Sequence, residues 1–180
     1  MKPIALPAAL AIAVPVLLAA GPTLRSSPDL GKAEGRCRPG ENGPALIVEA
    51  TGMKDRSGQM KLEIYPATDE DFLADDNVLV AAGKTFRRVE VPTSQSGEVV
   101  LCVRIPGPGT YAVALLHDRN SDRRFSWTID GIGFSANPKL GWSKPKAKSS
   151  RVVVNGDGVS KISVVMNYKR GLGVAPLKQN

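Results

Sequence analysis

The segment that most constrains this chain is residues 110–117, Thr-Tyr-Ala-Val-Ala-Leu-Leu-His. Side chains on a strand alternate between faces. Tyr111, Val113 and Leu115 therefore share one side, and Ala112, Ala114 and Leu116 share the other. A strand that is apolar on both sides must be covered on both sides, which makes it central. Six further segments read as strands: residues 45–50, 59–65, 85–91, 98–105, 151–155 and 159–168. The alternation is cleanest in 59–65, where Met60, Leu62 and Ile64 oppose Lys61, Glu63 and Tyr65. In 98–105, Val99, Leu101, Val103 and Ile105 face one way.

The punctuation between these segments agrees. Pro106-Gly107-Pro108-Gly109 links the fourth and fifth strands. Asn155-Gly156-Asp157-Gly158 predicts a tight hairpin between the last two, since these residues tolerate positive φ. One helical turn is expected within 69–82, capped by Asp69. Short strands joined by turns predict an all-β, seven-stranded antiparallel sandwich with Greek-key connections; a barrel is the alternative. Aromatic residues are only 5% of the chain against 42% apolar. The core is therefore expected to be Val, Leu, Ile and Ala.

Residues 1–21 pair Lys2 with an uncharged apolar run from Ile4 to Ala20, broken by Pro7 and Pro15. That run is short for a membrane span and reads as a signal peptide, with a retained anchor as the alternative. A periplasmic or secreted protein follows, with no stable membrane span after cleavage. Residues 22–43 read as a flexible spacer, 44–170 as the sandwich and 171–180 as a loose tail. Export favours a disulfide between Cys37 and Cys102. The net charge of +7 is scattered rather than striped and lacks stacking aromatics in strands, so nucleic acid is not expected as a partner.

Residues 118–150 form the one long segment that reads as neither strand nor helix, and a connection of that length is usually functional. Both tryptophans, Phe125 and Phe134 lie in it, and the single histidine, His117, precedes it. Asp118-Arg119-Asn120-Ser121-Asp122 opens like a calcium loop, with oxygens at alternate positions. The match then decays. The sixth position is Arg123 where a glycine should turn, and the twelfth is Ile129 where a glutamate should chelate. Asp118, Asn120 and Asp122 are thus the metal candidates and calcium the one cofactor to consider. The competing expectation is a polar turn in which Asp118 and Asp122 pair with the nearby arginines and cap backbone amides. His117 and Asp118 point to opposite faces of a strand, which argues against a catalytic pair. The Ser135 hydroxyl is expected to cap a turn.

The run Pro108-Gly109-Thr110-Tyr111-Ala112-Val113, then His117-Asp118-Arg119-Asn120, then Gly133-Phe134-Ser135-Ala136-Asn137, resembles a bacterial exported family, domain of unknown function 2141. The resemblance covers about residues 45–168. It implies a periplasmic or secreted sandwich of immunoglobulin-like or transthyretin-like topology, as found in adhesive and carbohydrate-binding modules, and it supplies no reaction. The chain departs from that family's pattern at Ser126, at the missing Pro-x-Glu before Gly133, and at Ala136. The leading expectation is a non-enzymatic envelope module that binds a glycan or a protein through Trp127, Trp142 and His117. A calcium-stabilised structural domain and a hydrolase using the 117–137 loop are the alternatives.

Overall fold

The computed structural model describes residues 24–178; the leader expected over 1–21 lies outside the described residues. The chain runs α1 (Lys32–Gly35), β1 (Ala45–Thr51), β2 (Gln59–Pro66), α2 (Asp76–Ala81), β3 (Arg87–Pro92), β4 (Val99–Arg104) and β5 (Gly109–Asp118). It continues through β6 (Gly131–Phe134), a single 3-10 turn at Ala147–Ser149, β7 (Arg151–Val154), β8 (Val159–Val165), β9 (Asn167–Arg170) and β10 (Gly173–Pro176).

Two sheets form. The larger is antiparallel and runs β10-β9-β6-β5-β2-β3, with β7 also on β5; the smaller runs β4-β1-β8. Their inner faces share one core. Leu46, Val48, Leu101, Val103 and Val164 of the small sheet meet Met60, Leu62, Ile64, Val113 and Leu115 of the large one. The sheets keep separate strand orders, so the expected sandwich forms and the barrel does not.

Strand β5 is central, as its composition predicts. It pairs along its whole C-terminal length with β2, from Tyr111↔Pro66 to Asp118↔Gln59. Its other edge is shared. β7 takes Gly109 to Ala112, and β6 takes Ala114 to His117. Its even-numbered alanines face outward beneath a second core of Tyr65, Phe72, Leu79, Phe86, Phe134 and Ala147. The small side chains leave room for rings, which meet edge to face: Tyr65–Phe86 at 5.4 Å and Phe72–Phe134 at 5.7 Å between centroids. All four aromatics of this second core lie on one outer face, while the core between the sheets is mostly aliphatic, as expected, but also takes in Tyr111 and Tyr168.

Five expectations need correction. The Asn155–Gly158 link is not a hairpin, because β7 joins the large sheet while β8 lies parallel to β1 in the small one. Turn residues report that the chain reverses, not which sheet it re-enters. The segment 159–168 is two strands, broken at Met166, whose amide donates to Thr51 O as the chain crosses between sheets. The long loop contains β6, and the tail contains β10, which pairs with β9. Both β6 glycines are dictated by close approach. A Cβ on Gly131 would lie 2.3 Å from the Tyr168 ring, and one on Gly133 would lie 2.5 Å from Val164 Cγ1. Finally, the expected helical turn forms at Asp76–Ala81, but Asp69 does not cap it: Asp75 precedes the helix, and Asp69 Oδ1 accepts from the Ala147 amide at 2.7 Å.

The presumed spacer is also built in over residues 24–43. Arg88 donates to Ser27 O, to Glu63 Oε1 at 2.8 Å and to Asp76 Oδ2 at 3.1 Å, while Tyr65 OH donates to Glu63 Oε2. This nearly buried knot holds the N-terminal segment and α2 to the sheet. Cys37 and Cys102 are bonded, and the adjacent Arg36 bridges Val103 on the outer edge of β4. The segment therefore covers an edge that would otherwise offer unpaired backbone groups. The disulfide spans 65 residues, so replacing both cysteines by serine should lower unfolding free energy by about 2–4 kcal/mol. Urea denaturation of the oxidised and the double-serine proteins measures the difference.

Candidate functional site

The connection from β5 to β6 is held by carboxylates. Asp118, fully buried at the end of β5, accepts from the Asp122 amide at 3.2 Å, the Arg123 amide at 2.8 Å and Gln59 Nε2 at 2.9 Å. Asp130, at the return, accepts from the Arg119 amide at 3.0 Å and the Ser126 amide at 2.8 Å. Asp122 accepts from the Arg124 amide and from Asn120 Nδ2. Ser121 and Arg123 sit at φ 58° and 64°, the left-handed conformation that wraps a turn around a carboxylate. The carboxylates of Asp118 and Asp122 are thus occupied by backbone amides of the turn and by the side-chain amides of Gln59 and Asn120. Among the described residues no cluster of three or more His, Cys, Asp and Glu is placed to hold a metal ion.

The arginines of this turn pair elsewhere. Arg119 grips Asp55 through Nε at 2.9 Å and a terminal nitrogen at 2.5 Å, and donates to Ile129 O. The Arg119 guanidinium holds the Asp55 carboxyl down at about 2. Arg123 lies 3.7 Å from Glu90.

His117 is fully buried beneath this knot. Its Nε2 lies 2.8 Å from Ser57 O and its Nδ1 lies 2.8 Å from Tyr168 OH. A carbonyl can only accept, so Nε2–H donates to Ser57 and Nδ1 accepts from the tyrosine hydroxyl. That arrangement holds a neutral ring, and burial lowers its pKa below the ordinary histidine value. The Asp118 carboxylate is directed into the turn and does not reach the ring. Ser135 is likewise buried, and its hydroxyl donates to Ser150 O.

That last bond marks a second device. The Ser135 amide donates to Val113 O, and the Val113 amide donates to Ser150 O. β6 and β7 therefore continue one another along the edge of β5, and residues 136–149 leave and return at a single gap. This excursion lies across the outer face of the large sheet, where Leu140 and Ala147 join the aromatic core. Asn137 fastens it, donating to Ser163 O and accepting from the Val165 amide on the free edge of β8. Lys144 Nζ fastens it again, donating to Phe72 O at 3.0 Å.

Three chain reversals meet there. Phe125 and Trp127 come from the β5–β6 connection, Leu140 and Trp142 from the excursion, and Leu172 from the β9–β10 turn. With Ile132 and Phe134 of β6 beneath, they enclose an apolar groove of about 430 Å³. Trp142 is 84% exposed, Leu172 78% and Trp127 46%. Lys169 Nζ rests 4.6 Å from the centre of the Trp127 ring, a cation–π contact. Of the three sequence-chosen ligand-binding candidates, Trp127 and Trp142 are brought together and His117 lies elsewhere. Phe125, Leu172 and Lys169 were not among them; the apolar run Leu172-Gly173-Val174-Ala175-Pro176-Leu177 in the tail was the one available signal.

A family model described as an uncharacterized protein conserved in bacteria (DUF2141) matches residues 48–163, and the chain belongs to that family. No curated protein and no solved structure matches the chain.

The geometry of His117 makes a pH prediction. Its folded pKa is depressed, so the unfolded chain binds the proton first, near pH 6.5. The His117 contribution is complete above that pH and is lost as pH falls from there toward the folded pKa. Melting temperature should therefore drop between pH 7 and pH 5, ahead of the carboxylate transitions, and His117→Gln should flatten that part of the profile.

Proposed function

We propose that this DUF2141 member is a non-enzymatic binding module of the exported compartment, periplasmic or secreted, and that its Trp127–Trp142 groove takes the apolar face of an envelope glycan or protein partner. One observation carries the reading: two indole rings, from loops fifteen positions apart in sequence by number, converge on one cleft with a ring face open to solvent. The cleft falls within the roughly 300–1,000 Å³ typical of ligand sites.

The chemistry around the groove supports binding rather than turnover. Among the described residues that line it, Ser143 carries the one hydroxyl and Lys144 the one charge; no carboxylate or imidazole lines it. A general base would need to reach a bound substrate within hydrogen-bond distance. His117 is fully buried with both nitrogens engaged. The disulfide supports an oxidising compartment.

The test uses a neutral apolar dye, Nile red, and an array of envelope glycans. The wild-type chain should raise Nile red emission with saturable binding. Trp142→Ala should weaken binding about tenfold with an unchanged melting temperature, because an 84% exposed ring contributes little to folding. Dye binding that is absent, or indifferent to Trp142→Ala, would remove the groove as a binding site.

A further inference from the structure

Resting on the reading of the groove as a binding site, and narrowing its occupant away from a glycan or protein, we infer that its natural occupant is a single-chain anionic amphiphile: an apolar tail along Trp127 and Trp142, with a carboxylate or phosphate head held by Lys144 and Lys169. The groove and its rim differ in chemistry in the way such a ligand does. The lining is apolar but for Ser143 and Lys144. A bare sugar laid along it would find few partners for its hydroxyls, and unpaired polar groups are costly to desolvate. An alkyl tail has no such requirement.

The rim is cationic. Lys144 lines the groove and Lys169 stands over the Trp127 ring. Neither is in an ion pair among the described residues, whereas Arg88, Arg104, Arg119, Lys32 and Lys84 all are. An ammonium has three donors, and Lys144 Nζ gives one to Phe72 O, leaving the others for a head group. Among the described residues no carboxylate lies within ion-pair distance of Lys144 or Lys169: Asp122 and Asp130 turn toward amides of their own loop, and Asp69 faces Lys146 and the Ala147 amide. A concave cleft of this size suits one tail. A bilayer surface would meet Trp142 and Leu172 without filling the floor over Ile132 and Phe134.

Intrinsic tryptophan emission and calorimetry on the full chain test this with four probes: dodecyl phosphate and dodecyl maltoside below their micelle concentrations, inorganic phosphate, and phosphatidylglycerol vesicles. Dodecyl phosphate should bind about tenfold more tightly than dodecyl maltoside at low salt, the sum of two surface charge pairs. The difference should shrink as salt rises, and inorganic phosphate alone should not register. Lys169→Gln, which leaves the Lys144 bond to Phe72 O in place, should cut the preference to about threefold, and the double variant Lys144→Gln/Lys169→Gln should erase it, with Nile red binding measured on each variant to report that the groove is still formed. Equal affinity for the two dodecyl compounds, or a preference for the maltoside, overturns the inference yet leaves the groove reading standing. Binding to vesicles without binding to the monomeric amphiphile assigns the surface to a bilayer and overturns it. So does concentration-dependent dimerisation that competes with dodecyl phosphate, which gives the groove to a second copy. Loss of Nile red binding itself fells the groove reading beneath.

Discussion

Everything in this molecule depends on the double burial of β5. Its odd-numbered residues close the core between the sheets, and its alanines floor a second, aromatic core on the outer face. Full burial of a Val, Leu or Phe side chain contributes roughly 1.5–3 kcal/mol, and no other strand contributes to both cores along so much of its length. The consequence is structural asymmetry. The small sheet leaves one face to solvent, with Val100 45% exposed on β4, while the large sheet must be roofed. The roof is built from connections rather than from a layer of long helices. That is why 67–86 and 135–150 are long for linkers and why they carry Phe72, Leu79, Leu140 and Ala147.

Roofing a sheet with loops exposes the fold to a second constraint, since irregular backbone must find hydrogen bonds. Side chains supply them. Asp118 and Asp130 each accept two backbone amides, and Asp69, Ser135 and Asn137 pin the excursion at three places. These groups are the polar residues that a sequence reader would nominate for chemistry, and most of them are occupied in making the roof possible. A buried amide left without its acceptor costs about 1–3 kcal/mol. Changes at Asp118 or Asp130 should therefore act through stability before they act through any ligand.

How much of this was legible varied with how local the cause was. β5 was legible because both its faces are written in eight residues. β6 was not, because Gly131-Ile132-Gly133-Phe134 has the propensity of a loop; its glycines answer to Tyr168 and Val164, which approach from strands thirty residues away. The break at Met166 has no turn residue to announce it, being forced by the passage between sheets. β10 is too short to register a period. At the groove, Trp127 and Trp142 stood out by rarity alone. Leu172 and Lys169 reach it only because β9 pairs with β6 at Ile132↔Asn167, a long-range contact that no local pattern encodes. The cleft itself was invisible for the same reason: three reversals had to be placed before it existed.

The groove differs in kind from the rest of the roof. Elsewhere on the outer face the rings are sealed, with Phe72 and Phe86 at 0% and 1% exposure. Around the groove the same loops leave Trp142, Leu172, Phe125 and Trp127 substantially in water. Each large apolar side chain left exposed forgoes on the order of 1–3 kcal/mol, and the four together approach a sizeable share of the roughly 5–15 kcal/mol that holds a domain folded. The chain has the means to avoid this. A shorter 136–149 excursion could rejoin Ser150 directly, because Ser135 and Ser150 already meet. On the binding reading proposed above, an excursion that is anchored at three points, and that carries its largest ring outward rather than into the aromatic core beside it, is stabilised for what it presents, and an occupant that covers the rings recovers the burial that the fold gives up.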